Sequence, residues 1–305
     1  MLRFQPIYKK APWGGHAIAE QFARSGVPDE RVGESWELAS FGDHDSRVQR
    51  GEHEGRGLAE LWSAGLLGGS ARGPFPFLLK WIHATDFLSV QVHPDEQTCA
   101  ELGDGRPKSE AWLIADRDAD SVLLAGHYPG LDAQTLRLAA ANGTVRKWLY
   151  ELRPRVGEMV PITPGTVHSI GPGFLLLEVQ QPSATTFRIY DWGRMGLDGK
   201  PRELHLDQAM QSIKFDVPGP PKASRNELQG PCFSMRPLHT GSRCPASELR
   251  VFVADAGDVE LISERGRERL AFGDVVVAEP ADGAVELGTG SCVLVGEAPT
   301  NARSA

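Results

Sequence analysis

The sequence predicts a mainly β protein made of two β units, and three observations carry that expectation. Short apolar or alternating runs bounded by Gly, Pro and Asp recur along most of the 305 residues, the pattern of half-buried strands joined by turns. Apolar residues fall at helical spacing in only two segments. A Pro-rich stretch, Val217-Pro218-Gly219-Pro220-Pro221-Lys222, separates the strand-like runs into a long first set and a shorter second one.

Taken in order, Gly57–Leu67 carries Leu58, Leu61, Trp62 and Leu66 at helical spacing. Strands are expected at Phe77–Ile82, Leu88–His93 and Glu110–Ala115. A helical insertion follows over about 132–152, where Leu138, Val145, Trp148, Leu149 and Leu152 supply the stripe and Gly143 is a weak point. Strands resume at Met159–Ile162, Phe174–Gln180 and Thr186–Asp191. Beyond a linker at 217–229 the expected strands are Leu249–Ala254, Asp258–Ile262, Asp274–Ala278 and Ser291–Gly296. The expected domains are therefore 1–216 and 230–305.

Composition excludes several classes. With 24% charged and 8% aromatic residues the chain is neither disordered nor membrane-embedded. A net charge of −8 with dispersed basic residues argues against nucleic acid as a partner, so an anionic substrate must be caught by a local group of Lys and Arg. The N-terminal residues lack an apolar signal core and no run reaches membrane-spanning length, so a cytoplasmic protein is expected. Cys99, Cys232, Cys244 and Cys292 show no CxxC spacing, which argues against a thiolate metal site or disulfide framework.

The candidate chemistry begins at Ser89-Val90-Gln91-Val92-His93. In an extended strand Ser89, Gln91 and His93 share one face, while Leu88, Val90 and Val92 take the other. A carboxylate from Glu110 and a second imidazole from His168 complete a set of four N/O donors without sulfur. That set suits a borderline divalent ion, zinc above all, with a position left for water or substrate. Either histidine alone reads as an ordinary core residue; the ordered motifs change that.

The run Gly157-Glu158-Met159-Val160-Pro161-Ile162-Thr163-Pro164-Gly165-Thr166-Val167-His168 resembles the second cupin motif, in which a Pro/Gly turn leads to a metal-binding His. Pro164 sits one place later than in that pattern. The ordered set Gln91-x-His93, Lys108-x-Glu110, Gly165-x-x-His168 and Gln180-Gln181 through Thr186-Phe187-Arg188-Ile189-Tyr190-Asp191-Trp192 resembles type I mannose-6-phosphate isomerases, especially the short bacterial form. The likeness runs from Trp13-Gly14-Gly15 to about residue 215 and weakly onward. It implies two cupin-like jelly-roll units, the first with a helical insertion. The second is degenerate, with Ala284 where the first has His168, and should hold no metal.

The resemblance implies a zinc-dependent enzyme, one ion per chain, that interconverts mannose 6-phosphate and fructose 6-phosphate. It makes Arg188 a catalytic residue; an always-charged guanidinium suits charge stabilisation better than proton transfer. Lys108 points the same way as Glu110 on a strand, and Glu178 shares a face with Phe174, Leu176 and Gln180; both are candidate acid/base groups. Thr186, Arg188 and Tyr190 are expected to point together. Ser89, Ser109 and Lys80 are candidate substrate-binding residues. Larger relatives have His-Lys-Pro-Glu where this chain has Pro107-Lys108-Ser109-Glu110, so a ring-opening role of that His falls elsewhere or to water. Ala184 and Phe187 stand where relatives often have Asp and Tyr. The alternatives are a non-catalytic sugar-binding cupin and another metal-dependent cupin enzyme, an epimerase or oxygenase.

Overall fold

The computed structural model describes residues 1–299 apart from 23, 25, 29 and 30. Two antiparallel sheets enclose the N-terminal β unit. One runs in the order Ile7–Gly15, Val32–Leu38, Leu78–Ala84, Phe174–Gln180, Glu110–Arg117, Met159–Ile162. The other runs Phe187–Tyr190, Val90–Val92, His168–Ile170, Leu123–His127, Leu149–Leu152. The central strands of the six-stranded sheet are covered on both faces, and all seven residues of Phe174–Gln180 are buried. They therefore read as continuous apolar runs interrupted by a few polar residues, and those few face inward.

Pairing register places them. Glu178 lies opposite Lys80 on one side and Trp112 on the other, and Lys80 lies opposite Trp36. Gln180 lies opposite Glu110. Across the barrel, Gln91 pairs with both His168 and Arg188. A polar row on one sheet thus faces a polar row on the other. Between them sits an apolar belt that includes Ile82, Leu88, Trp112, Ile170 and Leu176.

The remaining strands form a second sandwich. A five-stranded sheet contains Phe233–His239, Ser291–Glu297, Arg250–Val253 and Val275–Ala278, and a four-stranded sheet contains Val285–Thr289, Val259–Ser263 and Gly266–Leu270. Leu238, Phe252, Leu261, Val276, Leu287 and Leu294 fill its interior. Its outer face shares one core with the six-stranded sheet, where Leu79, Trp81, Leu113 and Leu177 meet Val251, Val277, Val293 and Val295. The Trp81 indole crosses this seam to donate to the Gly273 carbonyl at 3.1 Å. That shared core forms the back wall of the first barrel.

Several elements differ from expectation. The helical stretch expected over 132–152 is a helix only at Ala133–Ala141, followed by a 3-10 turn at Val145–Trp148 and a strand at Leu149–Leu152. Gly143 at φ +67° ends the helix, and Leu149–Leu152 instead gains cross-strand pairing with Leu123–His127. The helix expected at Gly57–Leu67 spans only Leu58–Ser63. Helices at Glu96–Leu102 and Leu206–Ser212, and strands at Ile7–Gly15, Val32–Leu38 and Leu123–His127, were not expected. In Phe187–Tyr190 a register shift puts Arg188 opposite Gln91 and Tyr190 opposite Val90. The intervening bulge breaks the alternation that should have aligned Tyr190 with Thr186 and Arg188. No helix among the described residues is long and apolar enough to cross a membrane.

Candidate active site

Gly165 sets the geometry of the His168 turn. It adopts φ +88°, and its N–H donates to the His93 carbonyl at 2.9 Å, tying the two histidine-bearing segments together. One ligand atom each from His93, Glu110 and His168 lies within 4.8 Å of the others, and all three residues are buried. His93 Nε2 is 3.3 Å from Glu110 Oε2, and His168 Nε2 is 3.4 Å from Glu110 Oε1.

The tautomers follow from the other ring nitrogens. His93 Nδ1 meets the Thr185 carbonyl at 2.9 Å and His168 Nδ1 the Thr166 carbonyl at 2.8 Å. A carbonyl only accepts, so each Nδ1 carries the hydrogen and each Nε2 turns a bare lone pair into the site. Burial, then the Lys108 charge, pushes the His93 pKa down to about 3, and burial lowers that of His168. Neither imidazole competes for a proton at neutral pH. Burial opposes the Glu110 charge, but Lys108 together with His93 and His168 holds its pKa well below the usual carboxylate range. Neither Glu110 oxygen accepts a well-formed hydrogen bond.

Gln91 completes the cluster. Its Oε1 accepts from Ser89 Oγ at 3.0 Å and its Nε2 lies 3.2 Å from His168 Nε2. A half-turn of the amide exchanges the two atoms. These donors fit a divalent cation: two neutral imidazoles oriented from behind, one carboxylate and one amide.

Beside this cluster runs a buried charge network. Lys108 Nζ is 2.8 Å from Glu110 Oε2 and 3.2 Å from His93 Nε2. Lys80 Nζ is 3.0 Å from Glu178 Oε1 and 3.4 Å from Glu34 Oε1. The Trp112 indole donates to Glu178 Oε2 at 3.0 Å. Burial, and behind it the charge of Glu110, raises the Glu178 pKa, which Lys80 and Lys108 oppose. Burial would raise Glu34 too, but Lys80 and the Trp36 indole leave it lowered.

Opposite the network stand two arginines. Arg188 Nη1 donates to the Glu203 carbonyl at 2.8 Å, while its Nε is buried without a partner. Burial and the charge of Arg202 lower the Arg188 pKa. One cavity of about 420 Å³ is lined by Gln91, His168, Lys108, Glu178, Lys80, Ser89, Arg188 and Arg202.

The structure brings all but one of the expected site residues to this cavity or its metal cluster. Ser109 is the exception: its neighbours Lys108 and Glu110 point inward, so it points out. It lines a separate cleft with Asp95, Glu96 and Gln181. Tyr190 is likewise outside, packed on Trp192 with ring centroids 5.3 Å apart. Arg202, Glu34, Trp112 and His205 also line the cavity and were not singled out. Glu34 lies in the run Gly33-Glu34-Ser35-Trp36-Glu37, where a carboxylate between strand residues is the only local signal. Arg202 had no local signal.

An antiparallel β barrel that gathers two imidazoles and a carboxylate at one point is a cupin-like barrel with a group that could hold a metal ion. The comparisons narrow the class. A family model described as phosphomannose isomerase type I, catalytic domain, matches residues 1–112. Mannose-6-phosphate isomerase ManA of Bacillus subtilis is 37% identical over 228 residues, 72% of this chain and 70% of that protein. Mannose-6-phosphate isomerase of Streptococcus mutans is 33% identical over 231 residues, 75% and 72% of the two chains. A solved structure of the Bacillus subtilis mannose 6-phosphate isomerase superposes with a TM-score of 0.84 at 26% identity, covering 98% of this chain and 99% of that one. The chain belongs to the type I mannose-6-phosphate isomerase family.

Proposed function

We propose that the chain is a zinc-dependent isomerase that interconverts mannose 6-phosphate and fructose 6-phosphate. The observation that carries the reading is the polarity of the cavity. Its lining joins the Nε2 edge of His168, backed by the buried Glu110 carboxylate, and the Gln91 amide to two mutually repelling guanidiniums, Arg188 and Arg202. A phosphorylated sugar matches both sets of groups.

Gln91, His93, Glu110 and His168 would hold the ion, which supplies Lewis-acid polarisation of the substrate oxygens. Arg188 pairs with Gln91 across the sheet and offers donors to negative charge growing on the oxygens. Arg202, which lines the same cavity, takes the phosphate. Glu178, raised towards neutrality and oriented by Trp112 and Lys80, moves the proton between the two carbons. Lys108 supplies a cationic donor beside the same carbons. Ser89 orients Gln91 and offers its hydroxyl to the substrate. The filled C-terminal sandwich, described from about 230 to 299, serves packing, and 217–229 is the boundary between the units.

The test is a coupled assay on mannose 6-phosphate with metal-analysed protein. Activity should track zinc content, vanish on chelation and return with zinc. Full turnover by chelated, metal-free protein would overturn the metal assignment; no turnover by zinc-loaded protein would overturn the substrate.

A further inference from the structure

Beyond the cavity wall, one carboxylate governs where the phosphate end points. The strand ends at Tyr190, and Trp192 adopts φ +58°, a left-handed conformation costly for a large side chain. It is held there by its indole, which donates to the Leu88 carbonyl at 2.7 Å and packs on Phe87 with centroids 4.7 Å apart. The chain then loops out and returns, and both arms of the loop grip Asp191. Arg202 Nε meets Asp191 Oδ2 at 2.6 Å and Arg202 Nη2 meets Oδ1 at 2.5 Å. Arg194 Nη2 reaches the same Oδ1 at 2.8 Å, with its Nε at 3.1 Å.

Asp191 does not line the cavity and is only 7% exposed. The Arg202 and Arg194 charges, with their hydrogen bonds, hold its carboxylate below the ordinary range against the opposing effect of burial. Two of Arg202's nitrogens are committed to Asp191, so the guanidinium is locked where it lines the cavity with Arg188.

We propose that Asp191 is a positioning residue for recognition of the phosphate group: by clamping Arg202 in a bidentate pair it preorganises a cationic pocket against Arg188. This rests on the isomerase reading. Without the clamp two facing guanidiniums repel, and Arg202 must be ordered by the substrate itself, which weakens binding.

The experiment compares wild type, Asp191→Asn, Arg202→Gln and the double variant, all zinc-loaded. Each is measured for KM and kcat on mannose 6-phosphate, for inhibition by inorganic phosphate, and for direct phosphate binding by calorimetry. Asp191→Asn should raise KM and the phosphate inhibition constant together about tenfold, with a much smaller fall in kcat. In the Arg202→Gln background Asp191→Asn should add little, since the residue acts through that arginine. A folded Asp191→Asn protein with wild-type phosphate affinity would overturn the proposal, as would full additivity. If Asp191→Asn does not fold, Arg202→Gln decides: unchanged phosphate affinity there removes the arginine and its clamp together. Failure of wild type to turn over mannose 6-phosphate would instead strike the isomerase reading, because calorimetry with phosphate still tests the clamp.

Discussion

Replacing Lys80 by Met tests the buried charge network most directly. The ammonium sits 3.0 Å from Glu178 and 3.4 Å from Glu34, all three within the barrel. Met keeps most of the volume and removes the charge. Stranding one partner of a buried pair typically costs about 3–5 kcal/mol. Two features pull the value to the lower end: Lys108 remains 3.8 Å from Glu178, and Glu178 can take up a proton. The second feature makes the loss pH-dependent. Glu178's folded pKa lies above its unfolded value, so the native state holds a proton that the unfolded state has released. Such a group costs stability as pH rises above the unfolded value of 4.5. Removing Lys80 raises the folded value further and widens that window upward. The variant should therefore lose about 3 kcal/mol at pH 8 and clearly less at pH 5. Urea unfolding followed by tryptophan fluorescence at both pH values measures it. A loss under about 1 kcal/mol at pH 8, or an equal loss at both, would refute the network reasoning.

Three further outcomes are expected. Arg188→Ala should keep its metal and melting temperature yet lose about 10²–10³-fold in kcat, the usual cost of one preorganised donor; unchanged kcat removes Arg188 from the mechanism. Gly165→Ala should destabilise by about 1–2 kcal/mol and weaken zinc binding in a metal titration, since φ is positive. Its new Cβ would also meet Lys214 Cγ at 2.6 Å and the Ser212 carbonyl at 3.1 Å. Metal-free protein should lose stability as pH falls below 6.5, because unfolding lets His93 and His168 take up protons that the fold excludes. For His93 that window extends down to about 3. His93→Gln should flatten the slope by up to about 1.4 kcal/mol per pH unit, read from urea midpoints at pH 7 and pH 5; an unchanged slope would contradict neutral burial.

The donor set was legible because period two is a local property. Ser89, Gln91 and His93 share a face wherever the strand lies, as do Lys108 and Glu110, and the Pro164-Gly165 turn announced His168. The same rule, fully applied, would have sent Ser109 outward. Strand existence was readable where apolar runs were long, as in Phe174–Gln180, and unreadable in Ile7–Gly15, where Lys9 and Lys10 hide the pattern. The helix at Glu96–Leu102 did have a start signal, since Asp95 caps it by accepting from the Thr98 N–H.

What no local period could give was the partner of each inward charge. Register sets Lys80 beside Glu178, and a strand two places away in the same sheet supplies Glu34. A single bulge at Ile189 turned Tyr190 away, and a left-handed Trp192 with an Asp191 clamp returned Arg202 to the cavity. Side-chain direction along an unbroken strand is a property of neighbouring residues, so the sequence carried it there. The company a buried charge keeps depends on long-range pairing and on one or two irregular backbone positions, whose energies are decided only when the sheets close.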